Sequence, residues 1–192
     1  MKRSHLVKIA TIIFFTLGSI SIVVGSFWLR KTSSNIGQTE IITDTSRYGE
    51  IRNYLWSNNN EVQHFPVEIP PDAQGVQLAY SPGLTQGNSF LQVRIKQPSI
   101  KIQQLLSHYR KISQHQYRGG DTNDHINQPN GVPTTFFYTG DAATVSFPPT
   151  YEIMVLNAQN KGTSGFKWNH GDSYGVAIDS SASEIVYWAE EW

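Results

Sequence analysis

The feature that most constrains this chain is a run of 21 residues without a charged side chain, from Ile9 to Leu29. As an α-helix, such a run would be about 31 Å long at ~1.5 Å per residue, close to the ~30 Å hydrocarbon thickness of a bilayer. A helix also satisfies its own backbone hydrogen bonds, as a segment in lipid must. Phe27 and Trp28 lie near one end, where aromatic rings favour the membrane interface, and Arg30 and Lys31 end the run. The sequence therefore predicts a transmembrane helix over residues 9–29.

Basic residues on both sides of this run predict its orientation. Three of the first eight residues are basic, whereas two basic residues, Arg30 and Lys31, follow the run closely. Because positive charge favours the cytoplasmic side, we expect residues 1–8 to form a short cytoplasmic tail. The chain would then be a single-pass protein of the cell membrane, with its larger part outside the cytoplasm.

A cleaved signal peptide is the alternative interpretation of the same run. Val24-Gly25-Ser26 offers small residues at a suitable position for cleavage. However, the apolar region of a signal peptide usually covers about 7–15 residues, which is shorter than this run. An uncleaved anchor is therefore the favoured interpretation. Acylation as a lipoprotein is excluded because the chain has no cysteine.

The remaining residues predict a short tether over 30–44 and one globular domain over 45–192. After residue 31 the chain has 10 basic and 15 acidic side chains, a net of −5. A mildly acidic domain argues against nucleic acid as a partner. Because there are no cysteines, disulfides and thiolate metal sites are also absent, and no motif calls for a cofactor.

Hydrophobic periodicity predicts two helices in this domain. Apolar residues at Tyr48, Ile51 and Leu55 have the spacing of a helix face, and Asn58–Asn60 would end that helix. A longer amphipathic helix follows Pro98, with an apolar stripe on one side. The stripe consists of Ile102, Leu105, Leu106, Tyr109 and Ile112.

Alternating or β-branched segments predict the strands. They cover residues 76–80, 90–96, 134–139, 150–157, 174–179 and 184–188. The first two and the last two are separated by short turn segments and are expected to form hairpins. Sequential strands joined by turns indicate an antiparallel sheet, on which one or two helices pack. The predicted fold class is therefore α+β, with an N-terminal transmembrane helix.

A polar loop over residues 114–133 holds the first group of candidate site residues. Asp121 and Asp124 could present oxygen ligands to a hard cation such as calcium, and His115 and His125 flank them. The segment lacks the twelve-residue pattern of an EF-hand loop and its final glutamate. A solvated loop that uses Gly and Asn for turns is the favoured interpretation.

His170 and Asp172 form the second candidate pair. A histidine with an orienting carboxylate can act as a general base in hydrolysis. No recognisable setting for a nucleophile accompanies them, since the chain lacks a Gly-x-Ser-x-Gly elbow, a Ser-x-x-Lys motif and any cysteine. A loop that leads into the strand at Tyr174 is the simpler interpretation.

Eight aromatic residues in the second half of the chain form a third group. Rings of this kind can line a sugar- or peptide-binding groove, but more often they fill the core of a sheet. The residues are Tyr117, Phe136, Phe137, Tyr138, Trp168, Tyr187, Trp188 and Trp192. Trp192, at the end of the sequence, is the hardest of them to assign to a core.

Two segments resemble those of small exported or membrane-attached bacterial proteins that carry no assigned function. They are HFPVEIPPDAQGVQLAYSPGLTQGNSFLQVRIKQP and YGVAIDSSASEIVYWAEEW, which together cover somewhat over a quarter of the chain. The resemblance implies a bacterial envelope protein and carries no activity, ligand or catalytic residue.

Together these features favour a non-catalytic accessory or binding module of the bacterial envelope. Its expected contacts are the bilayer, through residues 9–29, and another envelope protein or a wall or peptide ligand. Two alternatives stay open. One is an envelope hydrolase that uses His170 and Asp172 or the histidines of the polar loop, and the other is a structural subunit of a membrane complex.

Overall fold

The computed structural model describes residues 41–56, 58–83, 88–120, 131–134, 138–139, 142–143 and 146–192. The predicted transmembrane run lies outside these residues, as do the cytoplasmic tail and most of the tether. In the part of the chain that is described, no helix has both the length and the apolar character needed to cross a membrane. The placement of residues 9–29 in a bilayer therefore stays a prediction from the sequence.

The centre of the domain is an antiparallel sheet of six strands in the order β1-β2-β8-β7-β6-β3. Two further short strands, β4 and β5, pair with each other in a separate ribbon. The strands are β1 (Gln74–Ser81), β2 (Ser89–Lys96), β3 (His115–Arg118), β4 (Tyr138–Thr139), β5 (Ala142–Ala143), β6 (Glu152–Asn160), β7 (Gly171–Asp179) and β8 (Glu184–Glu191). With its helices, this sheet confirms the predicted α+β class.

The helical elements pack on one face of the sheet. An N-terminal helical segment consists of a 3₁₀ turn (Thr45–Arg47), an α-helical turn (Tyr48–Glu50) and a π-helical turn (Ile51–Leu55). A second 3₁₀ turn covers Asn59–Val62, and helix α1 covers Ser99–Ile112.

Each face of the sheet has its own hydrophobic core, as expected for a sheet covered on both sides. On the helix face, Ile102 and Leu106 of helix α1 pack in the same buried cluster as Val176 and Ile185 of the sheet. A smaller cluster lies on the opposite face and contains Phe147, Tyr151, Val155, Val186 and Trp188. Buried strand residues therefore alternate between two cores rather than between core and solvent.

The structure differs from the sequence prediction in two places near helix α1. Residues 115–118 form the edge strand β3, although the polar composition of this stretch predicted a loop. An edge strand buries little side-chain area, so its sequence lacks the apolar alternation that identifies inner strands. Ile112, which the apolar stripe placed on the buried side of the helix, is half exposed.

Candidate functional site

A polar cleft of about 240 Å³ opens at one end of the helix face. The 3₁₀ turn Asn59–Val62 forms one wall, and the adjacent ends of β6 and β7 form the other. Side-chain amides, two carboxylates, one ammonium and one phenol line the cleft, so almost every described lining group can donate or accept a hydrogen bond. This composition suits a polar ligand.

A β-bulge in β6 selects which side chains face the cleft. Val155 pairs with Gly175, but the preceding residue of β7, Tyr174, pairs with Asn157, so Leu156 is an extra residue. Because side chains alternate between faces along a strand, one extra residue moves every later side chain to the other face. Asn157 therefore lies on the same face as Tyr174 and lines the cleft with it.

His64 supports the bulged region from behind the cleft. Its Nε2 atom donates a hydrogen bond to the carbonyl of Gly175 at 2.9 Å. The imidazole stacks on the Tyr174 ring with a centroid distance of 5.3 Å. Burial lowers the pKa of His64 to about 4, so the ring is neutral at pH 7 and carries its proton on Nε2. His64 thus holds the Tyr174 ring and the bulged backbone in place.

Glu61 is the buried carboxylate of the 3₁₀ wall, with 3% of its surface exposed. Trp56 Nε1 donates to its Oε2 at 3.0 Å, and Asn58 Nδ2 donates to its Oε1 at 2.9 Å. Burial first, and then the negative charges of Glu191 and Asp172, raise the pKa of Glu61 to about 7. The two donors oppose this shift by stabilising the ionised form. Glu61 therefore exchanges its proton near neutral pH.

Asp172 is the carboxylate of the opposite wall and is also 3% exposed. In the sheet it lies between Gln159 of β6 and Glu191 of β8. Its Oδ2 atom lies 2.8 Å from the Nζ atom of Lys161, and this contact raises the pKa of the lysine. No described residue donates a hydrogen bond to the other oxygen, Oδ1.

The charges around the cleft do not balance. The negative charges of Asp172 and Glu191 act on Glu61, and Lys161 interacts electrostatically with all three carboxylates. When Glu61 is ionised, three carboxylates therefore lie within electrostatic range of one ammonium. Such an excess attracts cations and repels anions at short range.

A second buried charged group, on the opposite face of the sheet, supports the fold. Arg94 Nε lies 2.6 Å from Glu184 Oε1, and Tyr151 donates a hydrogen bond to the same oxygen. Glu184 is fully buried. Arg94 and Tyr151 therefore compensate a buried charge.

The two residues of the predicted hydrolytic pair lie in different environments. His170 is exposed just before β7, whereas Asp172 is buried in the cleft. No hydrogen bond joins their side chains, both of which the structure describes, and Asp172 is paired with Lys161 instead. The structure therefore places Asp172, but not His170, in the cleft.

The predicted loop site is described only at its start. His115 is part of β3, and its ring lies parallel to that of Tyr117 at a centroid distance of 6.3 Å. Asp121, Asp124 and His125 lie outside the described residues. Elsewhere in the described ranges, no group of three or more His, Asp or Glu side chains could hold a metal ion.

The aromatic residues that the structure describes mainly pack against the sheet. Trp188 and Tyr187 are buried in the two cores, and Trp168 packs at the margin of the smaller one. Trp192 extends the sheet beyond β8 by pairing with Gly171, and its Nε1 donates to the Trp168 carbonyl at 2.8 Å. The C-terminal tryptophan thus closes the end of the sheet, while Phe136 and Phe137 lie outside the described residues.

Glu61 and Lys161 are the charged residues of the cleft that the sequence did not predict as site residues. The Asn58-x-x-Glu61 spacing resembles a capping box and could have predicted the 3₁₀ turn, in which Asn58 accepts a hydrogen bond from the Asn60 amide. This spacing could not have predicted that Glu61 and Asp172 line the same cleft, because the two residues are distant in sequence. Lys161 carries no local signal at all.

No known protein family, curated protein or solved structure matches this chain.

Proposed function

We propose that this chain is a membrane-anchored, non-catalytic binding module of the bacterial envelope, which binds a peptide segment in the polar cleft. The ligand would belong to another envelope protein or to a wall peptide. Residues 9–29 would hold the module in the bilayer, with residues 45–192 outside the cytoplasm.

The observation that carries this proposal is the pair of buried carboxylates that line one cleft from opposite walls. Glu61 and Asp172 are each 3% exposed, although burying a carboxylate is unfavourable unless it is paired or hydrogen-bonded. Asn157 and Gln159 add amide groups to the same cleft. Amide and carboxylate groups together match the donors of a peptide backbone and of basic side chains.

The composition of the cleft favours binding over covalent catalysis. Its described lining includes no serine, threonine or cysteine that could act as a nucleophile. The carboxylate of Asp172 contacts Lys161 rather than a histidine. These contacts support a recognition site more than a hydrolytic one.

Photo-crosslinking in cells that produce the full chain tests the proposal. A photoreactive amino acid replaces Gln159, which is exposed at the rim of the cleft, and in a control it replaces Gln103, which is exposed on helix α1. We expect one main peptide-containing adduct from position 159, identified by mass spectrometry, and its loss when Asp172→Asn is added. No adduct at position 159, or the same adduct at position 103, would refute a binding role for the cleft.

A further inference from the structure

We infer that the group bound in the cleft is a primary ammonium, as in a lysine side chain or a free amine of a peptide, and that it is held between Asp172 and Glu61. This inference rests on the proposed binding function and names the chemistry that the cleft recognises.

One oxygen atom of Asp172 is accessible to a ligand. Asp172 lines the cleft, and its Oδ1 atom accepts no hydrogen bond from any described residue. This atom is not sealed in the interior, so a ligand in the cleft can donate a hydrogen bond to it. A hydrogen-bond donor therefore suits this position.

The cleft already holds one ammonium, that of Lys161. Lys161 places its Nζ atom 2.8 Å from Asp172 Oδ2, although about half of the lysine side chain is exposed. An ammonium donates three hydrogen bonds and carries a positive charge, so it binds carboxylates more strongly than a neutral amide does. The Lys161 ammonium thus shows how a ligand ammonium can contact Asp172. It also competes with the ligand for that carboxylate.

Carboxylates outnumber cations in the surroundings of Glu61. Asp172 of β7 and Glu191 of β8 act on it as like charges, Tyr174 of β7 is a neutral phenol, and Lys161 is the nearby cation. Trp56 and Asn58, which precede the turn that holds Glu61, supply neutral donors, and His64 is uncharged. A second ammonium would therefore enter a site in which negative charge exceeds positive charge.

The class of cation follows from the geometry. In the described residues, no three His, Asp or Glu side chains lie close enough together to coordinate a metal ion. A metal would need several oxygens at short, fixed distances, whereas an organic ammonium needs separate acceptors at hydrogen-bond distance. The cleft offers the second arrangement.

Nuclear magnetic resonance of the full chain in detergent micelles tests this inference. The indole N–H of Trp56 donates to Glu61, so its resonance, assigned with Trp56→Phe, reports on the cleft. The probe is Nα-acetyl-lysine methylamide, and the control ligand is the norleucine analogue, which lacks the ammonium. We expect the lysine probe to shift the Trp56 resonance with a millimolar dissociation constant, and the norleucine analogue to have no effect.

Variants decide whether the ammonium is recognised as proposed. Lys161→Met removes the competing cation and should tighten binding of the lysine probe about 3- to 10-fold, while Lys111→Met on the outer face of helix α1 should not. Asp172→Asn should weaken binding at least tenfold. Affinity of the native chain should rise from pH 6 to pH 8 as Glu61 ionises, and Glu61→Gln should abolish that rise.

Equal binding of the norleucine analogue, or weaker binding by Lys161→Met, would overturn the inference. The two proposals can fail separately. A crosslink at position 159 without lysine-probe binding would leave the binding function intact and refute the ammonium. Absence of both would refute the cleft as a binding site.

Discussion

Glu61 and His64 lie three residues apart, and the interior favours the neutral form of both side chains. Burial raises the pKa of Glu61 to about 7 and lowers the pKa of His64 to about 4. A raised carboxylate pKa makes the folded chain less stable as pH rises, whereas a lowered histidine pKa makes it more stable as pH rises. Between about pH 4.5 and 6.5 their contributions to the pH dependence of unfolding should largely offset each other.

Replacing Glu61 with Gln should remove the contribution of Glu61 to the pH dependence of the free energy of unfolding. The folded-state pKa of Glu61 lies above its unfolded value, so the folded chain binds more protons and loses stability as pH rises from about 4.5 to 7. Relative to the native chain, Glu61→Gln should therefore gain about 2 kcal/mol of unfolding free energy between pH 5 and pH 8. Urea unfolding of the detergent-solubilised chain, followed by tryptophan fluorescence, measures the difference. Glu50→Gln is the matched control because Glu50 is exposed and its pKa is lowered, and a similar gain there would count against the assignment.

Replacing His64 with Gln should have the opposite pH profile. The folded-state pKa of His64 lies below its unfolded value, so the native chain loses stability as pH falls from about 6.5 to 4. A glutamine amide can still donate to the Gly175 carbonyl but does not titrate. Relative to the native chain, His64→Gln should gain about 2 kcal/mol between pH 7 and pH 4. Urea unfolding over the same pH range measures this difference, and His108→Gln on helix α1 is the matched control. A gain in unfolding free energy that does not depend on pH would contradict the prediction.

A methyl group at Gly175 should disrupt the bulged region. An added Cβ atom there would lie 2.2 Å from the Met154 carbonyl oxygen and 2.7 Å from the Trp188 ring. Because a backbone atom cannot move aside easily, Gly175→Ala should cost about 2–4 kcal/mol of unfolding free energy. Gly49 lies in a helical turn with nothing within 4 Å of the same added atom. Gly49→Ala should gain about 0.5–1 kcal/mol of unfolding free energy. Thermal unfolding that ranks the two variants the other way would refute the close packing around Gly175.

The absence of cysteine makes the membrane placement directly testable. Ser4→Cys lies in the predicted cytoplasmic tail, and Ser107→Cys lies on the exposed side of helix α1. If residues 9–29 cross the membrane with the N-terminus inside, a membrane-impermeant maleimide should label position 107 in intact cells and position 4 only after lysis. Labelling of position 4 before lysis would reverse the orientation. Release of the position 107 variant into the medium, with a new N-terminus near Phe27, would favour a cleaved signal peptide.

Most inner elements of the domain could be predicted from local sequence because their pattern records burial directly. Residues 90–96 alternate between the two faces of the sheet and form β2, and the apolar stripe that includes Ile102 and Leu106 forms the buried side of helix α1. The hairpin predicted over residues 174–188 is confirmed by β7 and β8, and in the structure Ile178 lies opposite Ile185. The edge strand β3 escaped prediction because an edge strand needs little apolar surface.

The sequence by itself determined the α+β class, the long helix, the inner strands and the single uncharged run of membrane length, since each depends on neighbours along the chain. Only the tertiary structure decided the cleft. One extra residue at Leu156 turns Asn157 toward Tyr174, and the packing of a 3₁₀ turn against the sheet brings Glu61 to Asp172. Contacts between residues distant in sequence depend on strand register and long-range packing, so the pattern of neighbouring residues does not predict them.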